Sequence, residues 1–251
     1  MSCVVIVPCF KRALSADERI SLAQCRRVLG RHEIRVMCPA GLVLPPECEG
    51  LDREEFPALF FADIDGYSRL LLSREFYERF RAWDYLLIHQ LDAFVFRDEL
   101  DAWCLRGDDY VGAPWGKRDL LRNRHVRNSR IRALRCPWIA RWWHRRDFKV
   151  GNGGLSLRRV AAFLRILSSH GDKAAKWMGN EDLFWSLIAP AQDRTFRIPS
   201  EKEAMYFALE LEPSQYVARM KGQLPFGCHA WMKYDADFWA AHIPAGEGGA
   251  Q

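Results

Sequence analysis

The chain has 251 residues, of which 49% are hydrophobic and 27% are charged. This length and composition suit one large α/β domain or two small ones and exclude a globally disordered chain. The sequence has no apolar run of about 18 residues and no basic leader before its first apolar segment, so we expect neither a transmembrane helix nor a signal peptide. Its eight cysteines are scattered, without a Cys-x-x-Cys pair, which argues against a zinc knuckle or a disulfide scaffold and predicts a cytosolic protein.

The net charge of +5 is unevenly distributed along the chain. Residues 116–149 contain twelve lysines and arginines but only two aspartates, a local charge of +10 that leaves −5 for the rest. Tryptophans 138, 142 and 143 interleave with these arginines, a pattern that suits an anionic membrane surface or an anionic acceptor. A solvated loop whose tryptophans pack on the body is the alternative, and nucleic acid is a less favoured partner.

A β-α-β unit opens the chain. The β-branched residues 4–8 predict a strand, and Ser15 with Glu18 forms a capping box for a helix over about 16–29. Residues 34–38 predict a second strand, and this order favours a parallel sheet with a right-handed crossover.

The remaining elements continue the alternation of strands and helices. Further strands are expected at 59–61, 85–96 and 110–115, and further helices at about 68–82, 100–104, 158–169, from 180 onward and 200–211.

Asp92 interrupts an apolar stretch, residues 85–96, that predicts a buried strand of a mostly parallel sheet. Burying a carboxylate without a partner costs several kcal/mol, so Asp92 needs a cation or a set of N–H donors. Open α/β sheets bind ligands at the carboxyl ends of their strands. Asp92 is therefore a ligand of a divalent cation that carries a phosphorylated substrate, or else it caps a turn or pairs with an arginine.

Three later segments also contain residues that are unusual in an apolar core: the glycine-rich loop 151–154, the pair Glu181–Asp182, and His229. Each has a purely structural alternative, namely a turn, a helix N-terminus and a core histidine. Together with Asp92, they supply what sugar transfer from a nucleotide diphosphate requires: oxygen and imidazole ligands for a cation, a general base, and backbone that lies flat against a sugar.

The order of these motifs resembles the GT-A type of glycosyltransferase. The chain is more closely similar to a family of uncharacterised bacterial and fungal proteins assigned to that superfamily. The resemblance implies an α/β fold, with a single GT-A-like (Rossmann-like) domain over residues 1–243, a mostly parallel central sheet flanked by helices, a basic insert at 116–149 and a flexible tail at 244–251. The matching segments are residues 4–8, 90–94, 111–115, 151–158, 180–185 and 226–231.

The resemblance also implies a role for each matching residue. Asp92 would be the metal ligand of the Asp-x-Asp motif and His229 a second ligand, with Mn²⁺ or Mg²⁺ as the cation. Asp182 would be the catalytic base, with Glu181 as the alternative. Because Gln90 stands where such enzymes usually have the first acid, a metal-independent enzyme stays open. The expected donor contacts are Val7, Pro8, Tyr67, Arg69, Gln90, Asn152, Gly153 and Gly154, and the expected acceptor contacts are Trp115 and Trp231.

The implied function is transfer of a sugar from a nucleotide diphosphate, with UDP favoured, to a glycan or lipid-linked hydroxyl in polysaccharide or glycolipid synthesis. An acid pair placed as a base favours inversion, although a retaining route stays open. The expected location is the cytoplasm or the inner membrane face. Two alternatives remain: a non-catalytic RNA- or polyanion-binding protein, with steeply salt-dependent binding, and a nucleotidyltransferase, which the absence of glycine in residues 8–12 disfavours.

Overall fold

The computed structural model describes residues 1–115 and 150–244. Its strands form two sheets, one of six strands and one of three. The strands are β1 (Cys3–Pro8), β2 (Glu33–Pro39), β3 (Asp52–Phe56), β4 (Tyr85–His89), β5 (Ala93–Val95), β6 (Tyr110–Pro114), β7 (Val150–Arg159), β8 (Ala208–Leu209) and β9 (Gly227–His229). The larger sheet has the order β3-β2-β1-β4-β7-β6 and the smaller one the order β5-β9-β8.

Helices connect these strands. The α-helices are α1 (Ala16–Leu29), α2 (Ile64–Leu71), α3 (Arg74–Arg79), α4 (Leu100–Leu105), α5 (Val160–Ala175), α6 (Glu181–Leu183), α7 (Ala189–Gln192), α8 (Glu201–Phe207), α9 (Pro213–Arg219) and α10 (Ala236–Ala240). Short 3₁₀ helices span Pro46–Cys48 and Ala58–Phe61, and a π-helical turn spans Phe184–Ile188.

The larger sheet is mostly parallel, as predicted. Strands β1, β2, β3 and β4 pair in parallel, and β7 runs antiparallel between β4 and β6. Every residue of β1 and β4 is buried, which requires cover on both faces. Alternate side chains of β1 enter two different apolar clusters, with Val4 and Ile6 in one and Val5 and Val7 in the other. These observations confirm the expected α/β fold with helices on both sides.

Helix α1 begins where the capping box predicts. The Glu18 amide donates to Oγ of Ser15 at 3.3 Å, and the Ser15 amide donates to Oε2 of Glu18 at 2.8 Å. Two polar side chains on the buried face of α1, Ser21 and Gln24, donate to carbonyls of β5 at 2.6 Å each. Helix α1 thereby fixes the smaller sheet to the larger one.

Two predicted elements near the start of the chain are wrong. The predicted strand at 59–61 is a 3₁₀ helix, and the third strand is β3, whose acidic and basic residues resemble a loop in the sequence. An edge strand needs few apolar residues, and only Glu54 and Phe56 of β3 are buried. The single helix predicted over 68–82 is two helices, because Oγ of Ser73 accepts from the Phe76 amide and starts α3 anew.

Two further corrections concern the predicted site itself. The stretch 85–96 is not one strand: β4 ends at His89, and the chain then turns into β5 of the other sheet. Asp92 lies in this turn with its side chain 55% exposed, so the prediction of a buried carboxylate is wrong. The predicted glycine-rich loop lies inside β7 instead. Helix α8 also ends earlier than predicted, because residues 208–209 form β8. The basic segment 116–149 and the tail from 245 lie outside the described residues. Within the described residues, no helix combines the length and apolarity that crossing a membrane requires.

Candidate functional site

The site begins at the turn that follows β4, at the carboxyl end of the parallel strands. The turn is closed by the Ala93 amide, which donates to the Gln90 carbonyl at 2.8 Å. Strand β5 then pairs antiparallel with β9 and sets Ala93 opposite His229. The Ala230 amide donates to the Asp92 carbonyl at 2.7 Å. This pairing brings Asp92 and His229, the two predicted metal ligands, side by side.

Polar groups contact both nitrogens of the His229 imidazole. Its Nε2 lies 3.1 Å from Oδ1 of Asp92 and 3.1 Å from Oε1 of Gln90, and its Nδ1 lies 3.3 Å from Oε1 of Glu210. Burial by itself lowers the pKa of His229, but the charges and hydrogen bonds of Asp92 and Glu210 outweigh it and raise the pKa to about 10. Without a cation, the ring is therefore an imidazolium between two carboxylates.

Glu210 is a site residue that the sequence interpretation missed. It follows β8 directly and is buried, and its other carboxylate oxygen accepts a hydrogen bond from Nδ2 of Asn152. It is an acid inside the otherwise apolar segment 207–211. This is the same signal that singled out Asp92, so it could have identified Glu210.

Asn152 links this cluster to the backbone of β7. Its Oδ1 accepts from the Gly154 amide at 3.1 Å, while its Nδ2 donates to Glu210. The backbone N–H of Gln90 donates to the Gly154 carbonyl at 3.0 Å. The turn after β4 and the first half of β7 are therefore held together through the backbone.

Glu181 and Asp182 lie at the start of α6, as predicted, but in different environments. Arg158 is fully buried and donates to Oε1 of Glu181 at 2.9 Å and to the hydroxyl of Tyr77 at 3.0 Å. Burial first, and then the negative charge of Glu181, raise the pKa of Asp182 well above its usual range. Glu181 thus has a cationic partner, and Asp182 is the carboxyl that gains proton affinity.

Gly153 and Gly154 lie where β7 passes between these two groups. A Cβ at Gly153 would come within 2.8 Å of Oε1 of Glu181, and a Cβ at Gly154 would come within 2.0 Å of Nε2 of His229. Neither position has room for a side chain. The acid pair and the imidazole therefore flank one dipeptide, and the four polar places singled out in the sequence meet at a single site.

A cavity of about 430 Å³ opens beside the turn after β4. Its wall includes four of the predicted residues: Pro8, Tyr67, Gln90 and Asp92. The rings of Phe10 and Phe61 stand at the same cavity with their centroids 6.5 Å apart. The ionisable groups of the described wall are Lys11, Glu18, Asp63 and Asp92, and Nζ of Lys11 lies 2.7 Å from Oε1 of Glu18.

Seven predicted contact residues are absent from the described cavity wall, namely Val7, Arg69, Trp115, Asn152, Gly153, Gly154 and Trp231, and so are Glu181, Asp182 and His229. Val7 points into the apolar core, and Arg69 is exposed on α2 away from the lining. Trp231 is buried, with its ring edge-on to Phe94. Trp115 is also buried and directly precedes the segment 116–149. Val7 and Trp231 are core residues in this structure, because alternation along a strand and the packing of the smaller sheet direct them inward.

Comparison with known families identifies the chain. Residues 50–229 match the model of a family described as a protein of unknown function, DUF5672. The chain belongs to this family. The matched range includes the turn after β4, the glycines of β7, the acid pair and His229, whereas the cavity residues Pro8, Phe10, Lys11 and Glu18 precede it. A search of curated proteins finds no match.

The fold of this DUF5672 protein is similar to those of solved glycosyltransferases. Mouse xyloside xylosyltransferase 1, in its apo form, superposes with a TM-score of 0.51 and 10% identity over 91% of this chain and 97% of that chain. The apo-form glycosyltransferase GlyE of Streptococcus pneumoniae TIGR4 gives a TM-score of 0.50 and 11% identity over 98% of this chain and 61% of that chain. These similarities confirm the GT-A fold that the sequence resembles.

Proposed function

We propose that this DUF5672 protein is a glycosyltransferase that moves a sugar from a nucleotide diphosphate to an acceptor hydroxyl. One observation carries the proposal: Asp92 with His229, and Glu181 with Asp182, flank the same glycine dipeptide, and Asp92 also lines a cavity at the carboxyl edge of a GT-A sheet. Polar groups this far apart in sequence have no structural need to meet, and open α/β sheets bind their ligands at this edge.

The charges of the cavity favour a divalent cation. In the described wall three carboxylates face one lysine, and that lysine is already paired with Glu18. A diphosphate that entered this cavity alone would meet net negative charge. Asp92 and His229 offer the oxygen and imidazole ligands that Mn²⁺ or Mg²⁺ accepts. The cation, when bound, supplies the positive charge that stabilises the leaving diphosphate.

The shape of the cavity suits a nucleotide. Phe10 and Phe61 provide apolar ring faces at one side, where a base can stack. Tyr67 and Gln90 lie on the wall near Asp92, and Nε2 of Gln90 donates to the Tyr67 hydroxyl at 3.3 Å. Gly153 and Gly154 are buried beneath Glu181 and His229, so the donor sugar would lie against the wall that Tyr67, Gln90 and Asp92 form.

Asp182 is the group that we assign as the general base. The acceptor oxygen forms the new bond to the anomeric carbon as the bond to the diphosphate oxygen breaks, the diphosphate leaves with the electron pair, and Asp182 takes the acceptor proton. This direct displacement inverts the anomeric configuration. A buried carboxyl with a raised pKa is a stronger base once ionised than an exposed one, and Glu181 is already engaged by Arg158.

For the acceptor, we propose a glycan or lipid-linked hydroxyl in polysaccharide or glycolipid synthesis. The support is the composition of residues 116–149, whose arginines and tryptophans suit an anionic membrane surface. The same segment carries the alternative of RNA or polyanion binding. Steep salt dependence of binding would favour that alternative.

The test is a panel of UDP-, GDP-, TDP- and CMP-sugars, assayed for release of the nucleotide with Mn²⁺, with Mg²⁺ and with a chelator. We expect turnover of one donor class, UDP first, that requires the cation. Asp92→Asn and Asp182→Asn should remove turnover while leaving thermal unfolding cooperative. Asp52→Asn, at a carboxylate whose side chain is 72% exposed, serves as the matched control. A folded protein that turns over no donor under any of these conditions would contradict the proposal.

A further inference from the structure

The side-chain amide of Gln90 has a defined orientation. Its Nε2 donates to the hydroxyl of Tyr67 at 3.3 Å, and its Oε1 lies 3.1 Å from Nε2 of His229. The amide oxygen is therefore directed at the same imidazole nitrogen that Asp92 contacts.

The distances from Nε2 of His229 to the oxygens of Asp92 and Gln90 match the spacing of neighbouring ligands around one small cation. Nε2 of His229 lies 3.1 Å from Oδ1 of Asp92 and 3.1 Å from Oε1 of Gln90. In an octahedral shell with metal–ligand bonds of about 2.1 Å, adjacent ligands lie about 3.0 Å apart. A cation can thus take the place of the Nε2 proton with little movement of the three side chains.

We propose that Oε1 of Gln90 is the third protein ligand of this cation, alongside Asp92 and His229. The inference rests on the proposed function, since the cation is the one that accompanies the nucleotide diphosphate. Gln90 stands where Asp-x-Asp enzymes have their first acid, and its amide keeps an oxygen at that place without the charge. In residues 1–115 and 150–244, no three His, Cys, Asp and Glu side chains are placed to hold a metal ion together, and the third ligand that we assign is an amide.

The surroundings support this ligand set. Oε1 of Glu210 lies 3.3 Å from the far nitrogen of the imidazole, Nδ1, so the nitrogen that faces Asp92 and Gln90 is Nε2. The second carboxylate oxygen of Glu210 is held by Asn152. Asp92 and Gln90 both line the cavity, so the remaining coordination positions open toward the diphosphate.

The set carries one formal negative charge, from Asp92, where an Asp-x-Asp site carries two. We therefore expect the protein to bind Mn²⁺ alone weakly, and to bind it more tightly with a nucleoside diphosphate present. Replacing the amide with a carboxylate of the same length should increase the affinity for the bare ion. An increase in Mn²⁺ affinity on this replacement distinguishes a metal ligand from a side chain that only packs against His229.

The experiment titrates Mn²⁺ alone into the full chain and follows the free ion by electron paramagnetic resonance. Relative to the wild type, Gln90→Glu should bind about tenfold more tightly and Gln90→Leu at least about tenfold more weakly, the range typical for changes at metal sites. Gln223→Leu, at an exposed glutamine, is the matched control and should leave the affinity unchanged. Thermal unfolding of each variant confirms that it is folded.

Equal Mn²⁺ affinity of the wild type, Gln90→Leu and Gln90→Glu would overturn the inference, as would a wild type that binds no Mn²⁺. Neither result decides the sugar transfer itself. Turnover of a donor in the presence of a chelator would support the transferase and overturn the inference, because the reaction would then need no cation beside the diphosphate. Conversely, the expected affinity series without turnover of any donor would support the ligand set and count against the transferase.

Discussion

Replacing Gly154 with alanine tests the packing on which the site depends. A Cβ at this position lies 2.0 Å from Nε2 of His229 and 2.3 Å from two ring carbons, whereas ordinary contact begins at 3.4 Å. The imidazole or β7 must therefore move by about 1.4 Å. The polar contacts of His229 with Asp92 and Gln90 are 3.1 Å long, so a shift of this size breaks them.

The expected loss follows from that displacement. A misplacement of about 1 Å at a reacting centre lowers the rate by about 10²-fold, and overpacking of a tight site costs about 1–3 kcal/mol of stability. We expect Gly154→Ala to lower kcat/KM with the active donor by at least about 10²-fold. It should also weaken Mn²⁺ binding and lower the Tm.

Two further variants make this result specific. Gly171→Ala, in α5, adds a Cβ with no atom within 4 Å, so activity should be unchanged and stability equal or slightly higher. The double variant Gly154→Ala/His229→Ala removes the clashing ring and should recover stability but not activity. If Gly154→Ala keeps the wild-type kcat/KM and Mn²⁺ affinity, the proposed cation site beside Gly154 is refuted.

Three other predictions concern buried ionisable groups. Asp182→Asn should abolish transfer yet raise the Tm at neutral pH. A buried carboxyl with a raised pKa makes the protein less stable as the pH rises through that pKa, and asparagine removes this effect. An unchanged or lower Tm would contradict the raised pKa of Asp182. Arg158→Met should cost about 3–5 kcal/mol in denaturant unfolding because it leaves Glu181 buried without a cation, and Arg158→Met/Glu181→Gln should recover part of this loss. Burial lowers the pKa of His89 to about 4, so its contribution to the free energy of unfolding should be fully present above pH 6.5. This free energy should fall by about 3 kcal/mol as the pH drops toward 4. His89→Leu should flatten this pH dependence in unfolding measured between pH 4 and pH 7.

Local signals predicted the framework of the fold well. The capping box of Ser15 and Glu18 specifies the start of α1 through bonds between residues three apart, so no distant part of the chain is needed. The buried strands β1 and β4 show as continuous apolar runs because helices cover both faces of the sheet. Strand β3 was missed for the converse reason, since an edge strand exposed to water can carry the charged residues of a loop.

The sequence singles out the residues of the candidate site, but it does not specify the contacts between them. Asp92, the acid pair and His229 stand out in the sequence because each is polar where an apolar residue is expected. Their neighbours depend on pairings between distant segments: β5 with β9 sets His229 beside Asp92, and β8 brings in Glu210.

The sequence by itself thus determines which side chains need polar partners when they are buried, because the free-energy cost of burying a polar group depends on the group itself. Which partners they find depends on strand register and on backbone clearance, and both arise only when segments far apart in the chain pack together. Gly153 and Gly154 show the difference, since they look like a loop in the sequence and are instead the part of β7 that passes between two charged groups.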